Sequence, residues 1–431
     1  MAMDNGWKVV ARVPFRVVGP PRLTSNSEVA TMAYLRSKTT LPIPKLLAWS
    51  DNASSQIGCE YIIMEHVEGV QLHERWPTMN SQQRMLCIKG LGMMARDMVN
   101  LSCPAYGSIY FADSPITQNV KISLGDSFCI GPNCGTLYWN SAAGESELYG
   151  QKNTNTEPKP STLPYRGSRL DHERLLADSR AVLEQLITFQ PIQEAASPTL
   201  LHYDFHKRNI YVSDHDHTII TGIIDWQSTS IEPGFVYANE IPDFTTYGSE
   251  SPFSDHDIRD NQNNSPFSNQ QSREFEDARI CSATYEVILK GLAKKVGSGR
   301  ALDETLLSPF RYAATSWRDS AAAVRQELTD VSHKWQELRL PGSCPYQPGA
   351  EELAEHQKQY EDFETVQRLK LWLMSMLNTT SDGRIPTEAW EAAREANKAA
   401  FEQWMESAAG TGEMDEEKAR ALWPFDEMGP A

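Results

Sequence analysis

The stretch Leu200–Trp226, LLHYDFHKRNIYVSDHDHTIITGIIDW, decides how the rest of the chain is read. It sets His202, Asp204, His206 and Asn209 in a short polar loop. A strand-like run from Asn209 to Val212 follows, then a turn of Ser, Asp and His, then a second apolar run from Thr218 to Ile224. β-Branched residues alternating with polar ones around a polar turn predict a β-hairpin. A hairpin returns the chain to its start, so Asp204, Asn209 and Asp225 are expected to converge. Two carboxylates and an amide oxygen suit Mg²⁺, which takes few protein oxygens and completes its octahedron with water and phosphates.

The spacing from Asp204 to Asn209 matches the Asp-x-x-x-x-Asn of a kinase catalytic loop, and Asp225 stands where the metal-binding Asp follows the hairpin. HYDFHKRN followed by GIIDW resembles the signatures of the aminoglycoside phosphotransferase and choline kinase group. NSEVATMAYLR, PIPKLLAWS, EYIIMEHVEG and FCIGPN extend the resemblance to a fungal branch of that family, some of whose members are mitochondrial. The likeness runs over residues 7–245 in family order.

The resemblance implies an α+β, protein-kinase-like fold of two lobes: a small antiparallel-sheet N-lobe and a larger, mostly helical C-lobe. It implies ATP and Mg²⁺ as cofactors and a hydroxyl of a small molecule as phosphoryl acceptor. Asp204 would orient and deprotonate that hydroxyl, while Asn209 and Asp225 hold the metal. His202 would brace the loop. His206 would either meet the substrate or only pack. Arg12 stands in the place of the strand Lys that grips the nucleotide phosphates, with Glu28 as its helix partner. Met64 would lie against the adenine, whose edge would bond the Glu65 carbonyl and the Val67 amide.

Bulk properties leave this reading open. The chain has 431 residues, 40% hydrophobic and 23% charged, enough for a two-lobed enzyme or two to three domains. A formal net charge of -17 excludes an ordinary nucleic-acid binder, which needs a basic face. The 7 cysteines are scattered and odd in number, which fits idle thiols in a reducing compartment. No apolar run reaches the length of a membrane span, and Met1–Lys8 does not read as a signal peptide. The expected location is cytoplasmic as sequenced, or mitochondrial if an upstream transit peptide is missing. Nothing in the text fixes an oligomeric state.

In chain order, Trp7–Val13 reads as a strand, Ser25-Asn26-Ser27 as N-caps and Glu28–Ser37 as a helix. Lys45–Trp49 and Gly58–Met64 read as strands, and Gln82–Leu101 as an amphipathic helix. Gly107–Phe111 and Phe128–Pro132 look like short strands inside an insertion at 102–170, expected near the substrate side. His172–Phe189 reads as a helix, as do Phe275–Leu292, Leu302–Leu338, Glu351–Leu377 and Pro386–Ala409. Trp317, Trp335, Trp372, Trp390 and Trp404 are expected between these helices. The domain reading is an N-lobe at 1–68, a C-lobe core at 69–245, an exposed loop at 246–272, a helical part at 273–410 and an acidic, fraying tail at 411–431.

Two departures weaken the nucleotide site. Arg12 replaces the compact ammonium of Lys with a planar fork, and too little chain precedes it for the first strands and Gly-rich loop of the family. A catalytically weak kinase-like interaction protein is therefore the alternative. His-x-Asp-x-His also suggests a zinc hydrolase, but no further His follows a strand, and Asn209 has no role in that scheme.

Overall fold

The structure is a computed structural model and describes residues 4, 6–14, 19–52, 54–55, 57–135, 138, 168–238, 240–246, 269–313, 321–377, 389–411 and 414–424. Much of the expected insertion, nearly all of the loop at 246–272, Trp317 and the start of the helix expected from Pro386 lie outside them. The chain divides into two compact units. One is built from described residues within 1–162, 184–249 and 261–307, the other from those within 163–183, 250–260 and 308–431.

The first unit begins with a three-stranded antiparallel sheet of β1 (Val9–Arg12), β2 (Leu46–Ser50) and β3 (Tyr61–Glu65), in the order β1-β3-β2. Between β1 and β2 runs α1 (Leu23–Lys38). The helix starts earlier than its sequence suggests, so Ser25, Asn26 and Ser27 are not caps but buried residues of the first turns. The cap comes from elsewhere in the chain: Glu60 accepts the Arg22 amide at 2.8 Å and the Ser25 hydroxyl at 2.5 Å. A carboxylate there satisfies orphan donors and suits the positive end of the helix dipole. Glu28 is thereby turned inward and is 3% exposed.

The chain then enters β4 (Val70–Gln71), α2 (Leu72–Arg75) and α3 (Ser81–Val99). Asn80 and Gln83 close a reciprocal capping box at the start of α3. Strands β5 (Ser108–Phe111), β6 (Ile122–Ser123) and β7 (Phe128–Gly131) form a second sheet, ordered β5-β7-β6. This described part of the insertion docks on α1 and β2: Phe128 meets Tyr34 edge-on and Phe111 stacks on Trp49. It also reaches Glu232, through Asn133 and Tyr138.

After α4 (Arg169–Leu186) and α5 (Gln190–Ala195) come β8 (Pro198–Leu200), β9 (Ile210–Val212), β10 (Ile220–Ile223) and β11 (Ile231–Pro233). The expected hairpin is there: β9 and β10 pair antiparallel, with β4 added along β9. The chain just past the first sheet therefore shares a sheet with the hairpin. Two glycines permit this approach. A Cβ on Gly69, at φ +105, would lie 2.1 Å from the Val212 carbonyl oxygen, and one on Gly222 would lie 2.3 Å from Val67. Helix α6 (Asn269–Leu292) packs along α3, with Arg84 paired to Asp277 at 3.2 Å, and α7 (Lys294–Arg300) follows. One apolar core runs from α1 and β3 through α3 and the hairpin to α6. Small antiparallel sheets ahead of a largely helical remainder make this a protein-kinase-like α+β fold.

The second unit is helical: residues 169–183 of α4 join α8 (Ser308–Ala313), α9 (Ala322–Lys334), α10 (Ala350–Leu377), α11 (Trp390–Thr411) and α12 (Glu416–Ala421). The single helix expected over Leu302–Leu338 is broken, and Trp335 is buried at its end with its indole on the Pro341 carbonyl. Trp404 likewise bonds the Ala419 carbonyl. Trp372 and Trp390 are instead 37% and 52% exposed, so they do not fill a core as expected. Part of the expected fraying tail is helical, with Asp415 as N-cap of α12.

Candidate active site

His202 is the centre of the polar loop that precedes the hairpin. Its ring is fully buried, stacked edge-on against the buried Trp226 at 4.5 Å. Nδ1 accepts the Asp204 amide at 3.1 Å, which leaves the proton on Nε2 to be donated to the Ile224 carbonyl at 2.9 Å. Burial holds the imidazole below its ordinary pKa, so it stays neutral and both bonds persist. One ring thus ties the residue at the start of the loop to the residue before Asp225. The Ile224 amide closes the same joint on the Asn209 carbonyl at 2.9 Å.

Asn209 donates through Nδ2 to the Asp204 carbonyl at 2.9 Å and to its Oδ2 at 2.8 Å. The amide nitrogen is therefore spent on Asp204, and Oδ1 is left to accept. Asp204 also has His206 Nε2 at 3.3 Å from Oδ1 and Arg208 at 3.3 Å from Oδ2. On its other side His206 meets Asp243, which offers its amide to Nδ1 at 3.3 Å and takes the Lys207 amide on Oδ1 at 2.9 Å. The Asp243 pairing raises the His206 pKa above its ordinary value, against burial. Burial alone would raise the Asp243 carboxyl; its bonds from His206 and Lys207 overcome that and hold it low. Lys207 lies 5.3 Å over the Trp76 ring.

Asp225 adopts a left-handed backbone at φ 63, uncommon for a non-glycine residue and frequent at functional sites. Its Oδ1 is buried, lies 2.8 Å from Arg12 Nη1 and accepts no hydrogen bond among the described residues. An oxygen left so is the kind of donor that a hard cation taking only one or two protein ligands uses, as is an Asn209 Oδ1 that accepts no hydrogen bond among the described residues. Among the described residues no three His, Cys, Asp or Glu side chains gather as a metal cage.

Arg12 and Glu28 do meet, at 2.5 Å, as the sequence anticipates. Burial pushes the Glu28 carboxyl up to about 7, Arg12 opposes this and Asp225 adds to it. Arg12 also donates to Gln227 through its other terminal nitrogen. Met64 is buried in the core beneath the first sheet. The Glu65 amide is used by the Lys45 carbonyl at 2.9 Å, whereas the Val67 amide has no partner among the described residues. The structure therefore brings Asp204, His206 and Asn209 together and joins Glu28 and Asp225 through Arg12; Met64 packs in the core, Glu65 closes β3 and Val67 lies close to Gly222 of the hairpin. Gln227 and Asp243 escape sequence reasoning because nothing local marks them: their partners lie 215 and 36 or more residues away.

A family model described as the phosphotransferase enzyme family matches residues 3–233. The chain belongs to that family. A subtelomeric hrmA-associated cluster protein of Aspergillus fumigatus is 28% identical over 301 residues, 58% of this chain and 58% of the relative. Altered inheritance of mitochondria protein 9 of Lachancea thermotolerans, named mitochondrial, is 24% identical over 292 residues, 55% of this chain and 46% of that protein. The chain thus spans about half the length of these two relatives. Among solved structures, the streptomycin–ATP ternary complex of APH(2")-IIa is similar at TM-score 0.34 and 12% identity, over 74% of this chain and 84% of that one.

Proposed function

We propose that this member of the family moves the γ-phosphoryl of ATP, with Mg²⁺, to a hydroxyl of a small molecule. The observation that carries the reading is the joint made by His202, which fixes Asp204, Asn209 and the approach to Asp225 about one hairpin. In this reading residues 1–68 cover the nucleotide and 69–245 carry the chemistry. Asn209 Oδ1 and Asp225 hold the cation, which supplies charge neutralisation on the phosphates. Arg12, steadied by Glu28, pairs with the phosphates as a two-handed donor. The adenine edge bonds the Val67 amide and the Glu65 carbonyl, against Met64.

Asp204 takes the proton of the acceptor hydroxyl. Asn209 holds one of its oxygens and His206 flanks the other, so the carboxylate faces its substrate in one orientation. Such transfer depends on positioning and charge more than on covalent chemistry. The name of the Lachancea relative supports looking for the protein in mitochondria as well as cytoplasm, by fractionation of tagged full-length protein.

The test is release of labelled γ-phosphate to a library of hydroxyl-bearing small molecules. Asp204→Asn is expected to lower the rate about 10²- to 10⁴-fold, the usual size of general-base help, with nucleotide binding retained. Near-full turnover in that variant would remove Asp204 from its role. Absence of Mg²⁺-dependent nucleotide binding would favour an interaction protein, a reading that the grip of Arg12 on Asp225 supports.

A further inference from the structure

Arg12 does more than pair with its helix partner. One nitrogen, Nη1, stands 2.5 Å from Glu28 Oε1 and 2.8 Å from Asp225 Oδ1, so a single guanidinium serves two carboxylates. The other, Nη2, donates to Gln227 Oε1. Gln227 reaches it because the backbone bends twice, at Asp225 with φ 63 and at Ser228 with φ 59, around a Trp226 buried to the last atom. The indole is pinned inside by its bond to the Ile223 carbonyl at 3.0 Å. Residues 225 and 227 are thereby turned toward the same guanidinium. An ammonium gathers its donors at one point, whereas the planar fork spreads them, with the carboxylates on Nη1 and the amide oxygen on Nη2.

Glu28 and Asp225 share one guanidinium, and no other cation reaches the Asp225 oxygen among the described residues. A divalent ion approaching Asp225 would meet the guanidinium already there and be repelled by it.

We propose that Arg12 is the counter-ion of Asp225 in the nucleotide-free protein, and that Gln227 is the positioning residue that keeps it there. The cation then enters with the nucleotide: as phosphates take the guanidinium, Asp225 is released to the metal. Free protein accordingly binds divalent cations weakly. The proposal rests on the phosphotransfer reading for the identity of the cation, but its test uses no nucleotide.

The experiment is titration of the full chain with Mn²⁺ alone, free ion being counted by electron paramagnetic resonance. Removing a like charge from beside the carboxylate in Arg12→Met is expected to tighten Mn²⁺ binding about tenfold or more. Gln227→Leu, which keeps the charge of Arg12 and its bond to Glu28, is expected to give a smaller gain, about threefold. Adding Asp225→Asn to either variant should abolish the gain. A merely structural role for Gln227 would lower the melting temperature without moving Mn²⁺ affinity. If Arg12→Met fails to fold, Gln227→Leu decides the matter. Unchanged affinity in the folded variants, or a gain that survives Asp225→Asn, overturns the proposal. Failure of the wild type to bind ATP with Mg²⁺ would overturn the phosphotransfer reading instead and leave this result standing.

Discussion

Replacing His202 by Leu removes the joint on which the site is built. Leucine fills much of the same apolar space beside Trp226 but can neither accept the Asp204 amide nor donate to the Ile224 carbonyl. Both groups faced a ring with no exposed surface, so water cannot take its place without opening the core. Each stranded group costs about 1–3 kcal/mol, giving about 2–6 kcal/mol together. The assay is urea unfolding followed by circular dichroism, with the slope compared between variants. A pH series adds a second check. The folded-state pKa of His202 lies below the ordinary value of 6.5, so the unfolded chain binds the proton more readily. Wild-type stability from this group is complete above that value and falls as pH drops beneath it. Leucine has no such dependence, so the gap between the two proteins should narrow in acid. A loss under about 1 kcal/mol, or a gap constant from pH 8 to pH 5, would refute the account of the ring as a neutral two-handed brace.

Two further outcomes follow from particular contacts. The His206 imidazole should titrate above 6.5 by NMR, and Asp243→Asn should bring it down, because the Asp243 pairing is what raises it. By the same linkage its contribution to stability is complete below 6.5 and is lost as pH rises through the folded-state value. Gly69→Ala should destabilise by about 2 kcal/mol or more in urea, from a φ of +105 and a carbonyl oxygen 2.1 Å from the new Cβ. Gly349→Ala, where no atom lies within 4 Å, is the neutral control.

What could be read from the sequence was what is local. The polar loop, the hairpin and Asp225 stand within one stretch whose alternation and turn chemistry specify their own geometry. The pairing of Arg12 with Glu28 was legible through the resemblance, which puts Arg12 in the place of the strand Lys and Glu28 in that of its helix partner. The start of α1 was misread since Ser25-Asn26-Ser27 looks like a cap, while the true cap, Glu60, arrives from far along the chain. The interruption at Ala321, at φ 63 just ahead of α9, was hidden by apolar spacing that suits one long helix as well as two. Gln227 and Asp243 gain their places only when the first sheet and the 240–246 segment close on the loop. No local pattern encodes that.

Calorimetric titration of ATP into the wild type and into Asp225→Asn, each with and without Mg²⁺, addresses the claim that Asn209 and Asp225 seat a cation between protein and phosphates. The wild type should bind ATP at least about tenfold more tightly with Mg²⁺ than without, and Asp225→Asn should erase that difference while its melting transition stays cooperative. Binding indifferent to Mg²⁺ in the wild type, or equally Mg²⁺-dependent in the variant, would contradict it.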